Sequence, residues 1–333
     1  MSWFIPGHFF MFKTKIGTDL EEAKYWLEQG ELVGIPTETV YGLAANGLDP
    51  MAVAKIYAVK QRPQFNPLIL HAASPDRIEK LVVGIPETCH KLMKRFSPGP
   101  LTYLLPKSSL VPEIITAGNV RVAVRIPDHP LTLQLLELLD FPIAAPSANP
   151  SGYVSPVSAA HVLDGLEGKI PYILDGGVCR VGLESTILGF ENDIAVIHRL
   201  GTVTAEEISS GSLVKVNISL SHSAPSAPGQ LKSHYATRTP LICGDITHLL
   251  GKFEGQKIGV LSFTQTYLRG VQKNIVLSKA GKLEEAAANL FMAMRQFDAL
   301  GLDIIVTEAF PDEGIGMAIN DRLARAAYRG ESE

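Results

Sequence analysis

Side chains able to do chemistry are concentrated between Pro36 and His71: Thr37, Glu38, Thr39 and Tyr41, then Lys60, Arg62, Asn66 and His71. Lysine offers phosphate a compact charge, and arginine offers a rigid fork for two oxygens. Lys60 and Arg62 flank Gln61. Where the chain leaves a helix both tips can converge on one anion; a solvated helix end is the other reading. Pro63 and Asn66-Pro67 fix the loop that follows. Thr37, Thr39 and Tyr41 alternate, so they can project from one side of an extended segment, or Thr37 can cap local backbone. His71 is either a ligand for a substrate oxygen or a satisfied structural imidazole. This supply suits a small polar substrate lying beside a polyphosphate.

Further residues extend the set. Between Val120 and Ile126 the pattern alternates, with Val122, Val124 and Ile126 toward a core and Arg121, Ala123 and Arg125 on the other face. Two arginines on one side of a strand can grip anions. Pro146-Ser147-Ala148-Asn149 places a hydroxyl and an amide two residues apart, able to orient phosphate or ribose oxygens or simply to form a turn. Ser185 opens a predicted strand. No Gly-x-Ser-x-Gly elbow surrounds either serine, and the first part of the chain lacks both Gly-x-x-x-x-Gly-Lys-Ser/Thr and Gly-x-Gly-x-x-Gly. Glu38 has no acidic neighbour in sequence, so a paired-carboxylate hydrolase has no support.

The elements that must hold these residues follow from periodicity and punctuation. Leu20–Gln29 reads as an amphipathic helix closed by Gly30, and Leu32–Ile35 as a buried strand. Asp49-Pro50 opens a helix over Met51–Lys60. Further helices are predicted over Ile78–Leu81, Thr88–Phe96 and Leu131–Leu139. Strands are predicted over Leu68–His71, Leu101–Leu105, Val120–Ile126, Pro142–Ala145, Ile170–Leu174, Ser185–Phe190 and Ala195–Ile197. The Ser-, Ala- and Pro-rich Ser219–Pro228 reads as a linker. Beyond it, strands over Lys257–Ser262 and Asp303–Thr307 frame a long helix over Lys282–Leu300, with another over Ile319–Tyr328. That order predicts a small α/β unit with parallel pairing. The expected division is a first domain over 1–218, a linker over 219–240, and a C-terminal domain over 241–333.

Composition sets the limits. The 333 residues are 46% hydrophobic and 19% charged, which is globular. A net charge of -4 gives no global attraction to nucleic acid, so RNA contact would need a local basic patch. Cys89, Cys179 and Cys243 match no metal spacing and fit a reducing compartment. Neither a signal peptide nor a membrane-length apolar run is visible, which predicts a cytoplasmic location and no membrane partner.

Taken together, Pro36-Thr-Glu-Thr-Val-Tyr-Gly-Leu43, Lys60-Gln-Arg-Pro63 with Asn66-Pro-Leu68, and Pro146-Ser-Ala-Asn149 resemble the Sua5/YrdC/YciO family, in its two-domain Sua5 form. The resemblance covers roughly residues 20–330. It implies a YrdC-like twisted mixed α/β sheet as the catalytic domain over 1–218, an active-site lid in the linker over 219–240, and a smaller Rossmann-like C-terminal domain. The implied activity is a nucleotidyltransferase's: L-threonine, bicarbonate or CO2, and ATP become L-threonylcarbamoyladenylate and diphosphate, with Mg2+ held mainly by phosphates and water. The product would pass to a transfer complex that modifies adenosine 37 of tRNA.

By the same resemblance, Thr39, His71, Arg125, Ala145 (through its backbone) and Ser185 are threonine-side residues. Arg62, Asn66, Arg121, Ser147, Ser155, Arg199 and Tyr235 are ATP-side residues, and Lys60, Arg62, Ser147 and Asn149 form the catalytic core; no protein metal ligand is implied. The family's linker resembles Ser-Pro-Gly-Met-Lys-Tyr-Arg-His-Tyr-Ala-Pro. Here Ala227–Thr237 keeps the Pro-Gly, Lys, His-Tyr and Ala elements and changes the others. Two rival readings are an RNA-binding regulatory module and a carbamoyl-transfer enzyme like the YrdC portion of a larger hydrogenase-maturation protein. The absence of zinc-finger-like cysteine pairs argues against the latter.

Overall fold

A computed structural model describes residues 12–191, 194–212, 215–219 and 234–328. The aromatic N-terminal segment up to Met11 and most of the linker, 220–233, lie outside the described residues. The first part of the chain runs β1 (Lys15–Gly17), α1 (Leu20–Glu28), β2 (Val33–Ile35), β3 (Gly42–Asn46), α2 (Pro50–Lys60) and β4 (Ile69–His71). It continues through α3 (Pro75–Glu79), α4 (Glu87–Phe96), β5 (Leu101–Pro106), α5 (Glu113–Thr116), β6 (Arg121–Arg125), α6 (Pro130–Leu138) and β7 (Ile143–Ala144). Then come α7 (Ala159–Leu166), β8 (Tyr172–Leu174), β9 (Thr186–Glu191), β10 (Ile194–Arg199), α8 (Ala205–Ser212) and β11 (Val216–Ile218).

Among the described residues these eleven strands form one mixed sheet, in the order β1-β8-β2-β3-β7-β4-β6-β5-β9-β10-β11. The parallel β4–β6 pair matters most for chemistry. Its register sets His71 opposite Arg125 and Ile69 opposite Ala123. The alternation read from sequence accounts for this: Val122 and Val124 enter the large apolar core. On the opposite face Ala123 packs with Ile69, Leu104 and Ile187. That second face carries the site.

Helix α2 shows how local sequence aims side chains. Asp49 caps its N-terminus by accepting from the Met51 amide, and Pro50 occupies the first turn, where no N–H is missed. Gln61 ends it in the left-handed region, at φ 53°. The turn sends Lys60 and Arg62 in different directions.

The second sheet is built from β12 (Leu241–Cys243), β13 (Ile258–Ser262), β14 (Lys273–Val276) and β15 (Ile304–Thr307), all parallel in the order β12-β15-β13-β14. Helices α9 (Ile246–Lys252), α10 (Leu283–Asp298) and α11 (Ile315–Ala327) accompany it. The expected strand–long helix–strand motif is β13, α10 and β15, with β14 inserted between. One face of the second sheet has its own apolar cluster, with Ile258, Val260, Ile304 and Val306, but the other core is shared with the first part. Leu290, Phe291 and Met294 of α10 and Ile319 and Leu323 of α11 share one apolar cluster with Val154 and Val157 of the first part. No helix of the described residues is long and apolar enough to cross a membrane.

Candidate functional site

A cavity of about 570 Å³, its opening included, lies where β4, β6, the Pro36–Gly42 turn, the Pro146–Ser147 loop, β9, β10 and the end of the linker meet. Ten of the residues read from sequence line it: Thr37, Thr39, Arg62, His71, Arg125, Ala145, Ser147, Ser185, Arg199 and Tyr235.

Arg125 is the best-defined of them. Its Nε donates to the Gly99 carbonyl at 3.1 Å and Nη2 to Glu38 Oε1 at 2.5 Å; Nη1 and Nη2 both donate to Thr39 Oγ1 at 3.2 Å. Arginine and glutamate are both buried, and Glu38 Oε2 also accepts from the Asp128 amide at 3.0 Å. Glu38 therefore acts through Arg125, holding one edge of the guanidinium. Thr37 takes the capping role: Thr37 Oγ1 accepts from the amides of Thr39 and Val40, making a turn. The extended arrangement is not adopted. Tyr41 departs from it altogether, donating to the Gly177 carbonyl at 2.7 Å, away from the cavity.

Arg62 and Arg199 form a second cationic patch. Arg62 donates through Nε to the Asn66 carbonyl and through Nη2 to the Pro67 carbonyl. Arg199 grips Ser185 through its carbonyl and hydroxyl, and Ser185 Oγ meets Thr102 Oγ1 at 2.7 Å. Burial pushes both guanidinium groups down to about 10, so both remain cationic at neutral pH. Arg199 also lowers Arg62, a mutual repulsion that a bound anion relieves. Three arginines against a single carboxylate, Glu184, among the described lining residues give the cavity a positive balance that suits an anion.

Five expected site residues lie behind the cavity wall instead of on it. Lys60 departs from the expected convergence with Arg62. It is buried, and Nζ donates to the carbonyls of Ser147 and Asn149, each at 2.5 Å. Asn149 Nδ2 in turn donates to the carbonyls of Pro150 and Tyr153. Ser155 Oγ donates to Glu184 Oε1 at 2.6 Å. Asn66 is fully buried, with neither side-chain amide atom hydrogen-bonded. Arg121 sits at the far end of β6, near Gly189, with Nη1 buried and unpartnered. It shares a face with Arg125 but lies four residues away, too far for one small anion. Residues that sequence reasoning missed include Glu38 as a positioning group, Glu184 and His234; the last two also line the cavity.

His71 lies against Arg125 in register. Burial first, and Arg125 second, drive its imidazole down to about 3, so it works as a neutral ring. His161 is lowered to about 4, by burial and then Arg295. Both folded values lie below the roughly 6.5 of an unfolded histidine, so the unfolded chain gains protons first as pH falls. The stability from keeping these rings neutral is complete above about pH 6.5 and is lost progressively toward the folded values. Thermal unfolding should therefore shift steadily downward from pH 7 to pH 5; a flat melting temperature across that window would contradict the assignment.

Residues 26–201 match the Sua5/YciO/YrdC family model, described as telomere recombination, and 202–328 match the model for the C-terminal domain of threonylcarbamoyl-AMP synthase. The chain belongs to the Sua5/YrdC/YciO family. It is 43% identical over 322 residues to the threonylcarbamoyl-AMP synthase of Bacillus subtilis, covering 92% of each chain. It is 42% identical to the Pyrococcus abyssi enzyme of that name, covering 92% of this chain and 94% of the relative. The crystal structure of P. abyssi Sua5 complexed with L-threonine superposes with a TM-score of 0.87 at 40% identity, over 95% of this chain and 97% of that one.

Proposed function

We propose that this chain is a threonylcarbamoyl-AMP synthase, a nucleotidyltransferase that makes L-threonylcarbamoyladenylate and diphosphate from L-threonine, bicarbonate or CO2, and ATP. The observation that carries the reading is the pairing, in one cavity, of an oriented Arg125 with a separate Arg62–Arg199 patch. The first suits an amino-acid carboxylate and the second a polyphosphate. Thr39, neutral His71, Ala145 and Ser185 complete the threonine side. Ser147 and Tyr235 join the arginines on the nucleotide side, backed by Lys60, Asn66, Asn149 and Ser155; Arg121 belongs there through the family resemblance alone.

The reaction has two bond-forming steps. Bicarbonate, where it is the source, takes up a proton and loses water to give CO2; threonine's neutral amine attacks that carbon, the N–C bond forms as one C–O π bond breaks onto oxygen, and the nitrogen passes its proton to solvent to leave a carbamate. A carbamate oxygen then attacks the α-phosphorus, and the bond to the β-phosphate bridging oxygen breaks, so diphosphate leaves with the electron pair. No acid–base dyad lines the cavity among the described residues. Arg125 fixes the carboxylate, and Arg62 and Arg199 hold the phosphates against charge repulsion, so orientation and preorganised charge supply the acceleration.

Magnesium bound to the triphosphate offsets phosphate charge. The described residues do not supply a protein cage for it: no group of three or more His, Cys, Asp or Glu could hold a metal ion. Glu184 is committed to Ser155 and Arg322. In this reading the ion is held mainly by phosphate oxygens and water. The product is a mixed anhydride prone to hydrolysis, which favours direct hand-over to a tRNA-modifying transfer complex in the cytoplasm. The deciding assay is diphosphate release from Mg-ATP with detection of the adenylate by mass. Release should require both threonine and bicarbonate; nucleotide binding without adenylate would overturn the reading.

A further inference from the structure

Arg322 heads the largest fully buried side chains of the described residues, yet it belongs to α11 of the second sheet's unit. Its Nε donates at 3.1 Å to Glu184 Oε2, on the cavity wall and 138 residues away in sequence. The other Glu184 oxygen accepts from Ser155. Nη1 donates to Asp321 at 3.0 Å, and the guanidinium carbon lies 5.2 Å from the centroid of the Tyr235 ring. Phe291 of α10 stacks on the same ring, with centroids 5.4 Å apart and planes 23° apart. Tyr235 holds φ at 65°, a left-handed conformation that a residue with a Cβ keeps only when its surroundings demand it. Next to it the Ala236 amide donates to the Gly152 carbonyl. Arg322 Nη2 is buried without a hydrogen-bond partner, an opening that a purely structural buried guanidinium rarely leaves.

We propose that Arg322 is a positioning residue for the reaction, holding Glu184 and Tyr235 in place so that the second unit braces, from behind, a cavity lined by the first part of the chain and the end of the linker. The inference rests on the synthase reading and gives the second unit a role in catalysis. Mere attachment would not require a buried arginine directed at the cavity wall. The cost of an unpaired buried charge explains the arrangement: Arg322 keeps Glu184 paired, and Glu184 in turn fixes Ser155. Cation–π attraction and stacking then hold Tyr235 from the same side of the chain.

Deleting the second unit is a poor test, because its helices share the apolar core of the first. Point variants of the full chain avoid that problem. Hydrogen–deuterium exchange is compared for the 234–239 segment and for α10 in wild type, Arg322→Met and Arg322→Lys, alongside the ratio of diphosphate released to adenylate recovered. The expected result for Arg322→Met is exchange about tenfold faster in 234–239, with α10 unchanged. The diphosphate-to-adenylate ratio should rise severalfold as water reaches the anhydride, with Arg322→Lys intermediate in both. Unchanged protection of 234–239 would overturn the proposal. So would protection lost equally from α10 and α11, which marks a folding role only. If wild type makes no adenylate the synthase reading fails, and the exchange comparison still judges the hold on Tyr235.

Discussion

Replacing Arg125 with methionine should lower adenylate formation by about 10²–10³-fold, the range expected when a single group that holds and charges a reactant is removed. Two effects combine in that variant. The threonine carboxylate loses its cationic fork. Glu38 loses its partner as well, and it is buried, with Oε1 2.5 Å from the guanidinium. An uncompensated buried carboxylate costs about 3–5 kcal/mol of stability. The two effects separate in a second variant. Glu38→Gln combined with Arg125→Met removes the stranded charge, and an amide oxygen can still accept from the Asp128 amide. Stability measured by urea unfolding should largely return, while threonine binding measured by calorimetry stays lost. A single variant as stable as the double would show that Arg125 does not keep Glu38 paired, and one that still binds threonine normally would show that it does not hold the carboxylate.

That pair also shows what could be read from the sequence alone. Arg125 was accessible because the alternation over Val120–Ile126 assigns faces, and β6 obeys it. The same rule placed Arg121 with Arg125, but a shared face does not give distance along the strand. Glu38 stands in a recognisable motif, but with no acidic neighbour in sequence nothing local marks it as part of a site. Its partner is an arginine 87 residues away, and only the fold, which lays the turn between β2 and β3 against the end of β6, brings them together. Arg322 and Glu184 offered no local signal at all, since their contact spans the two sheets. The alternating threonines failed for another reason: the Thr37 hydroxyl satisfies two nearby amides and bends the chain, a local bond that competes with extension. Periodicity recovered most strands and helices because burial of a face repeats along the chain. Polar pairings across the fold do not repeat, and they make up most of the site.

Lys60 gives the sharpest contrast between a sequence motif and its use. Read beside Arg62 it is a phosphate ligand; in the fold it ties two carbonyls of the Ser147–Asn149 loop from behind. Burial, with Arg62 adding to it, pushes its ammonium well below the ordinary lysine value, which weakens it as a fixed charge for phosphate. Lys60→Met should therefore act through the loop. Two buried acceptors lose their donor, at about 1–3 kcal/mol each, and Ser147 moves from the cavity wall. Activity should fall about 100-fold with a clear loss of thermal stability, since misplacing a positioning group by an ångström has that effect. Lys60→Arg makes the test specific. It keeps the charge but puts a wide planar fork where a compact head fits between two carbonyls, so it should lose both stability and activity nearly as far as methionine does. A phosphate ligand would behave differently, because arginine substitutes well against an anion in an open cavity. An arginine variant with wild-type melting temperature and near-normal turnover would return Lys60 to the phosphate; loss of both would fix it as the support on which the Ser147 loop is held.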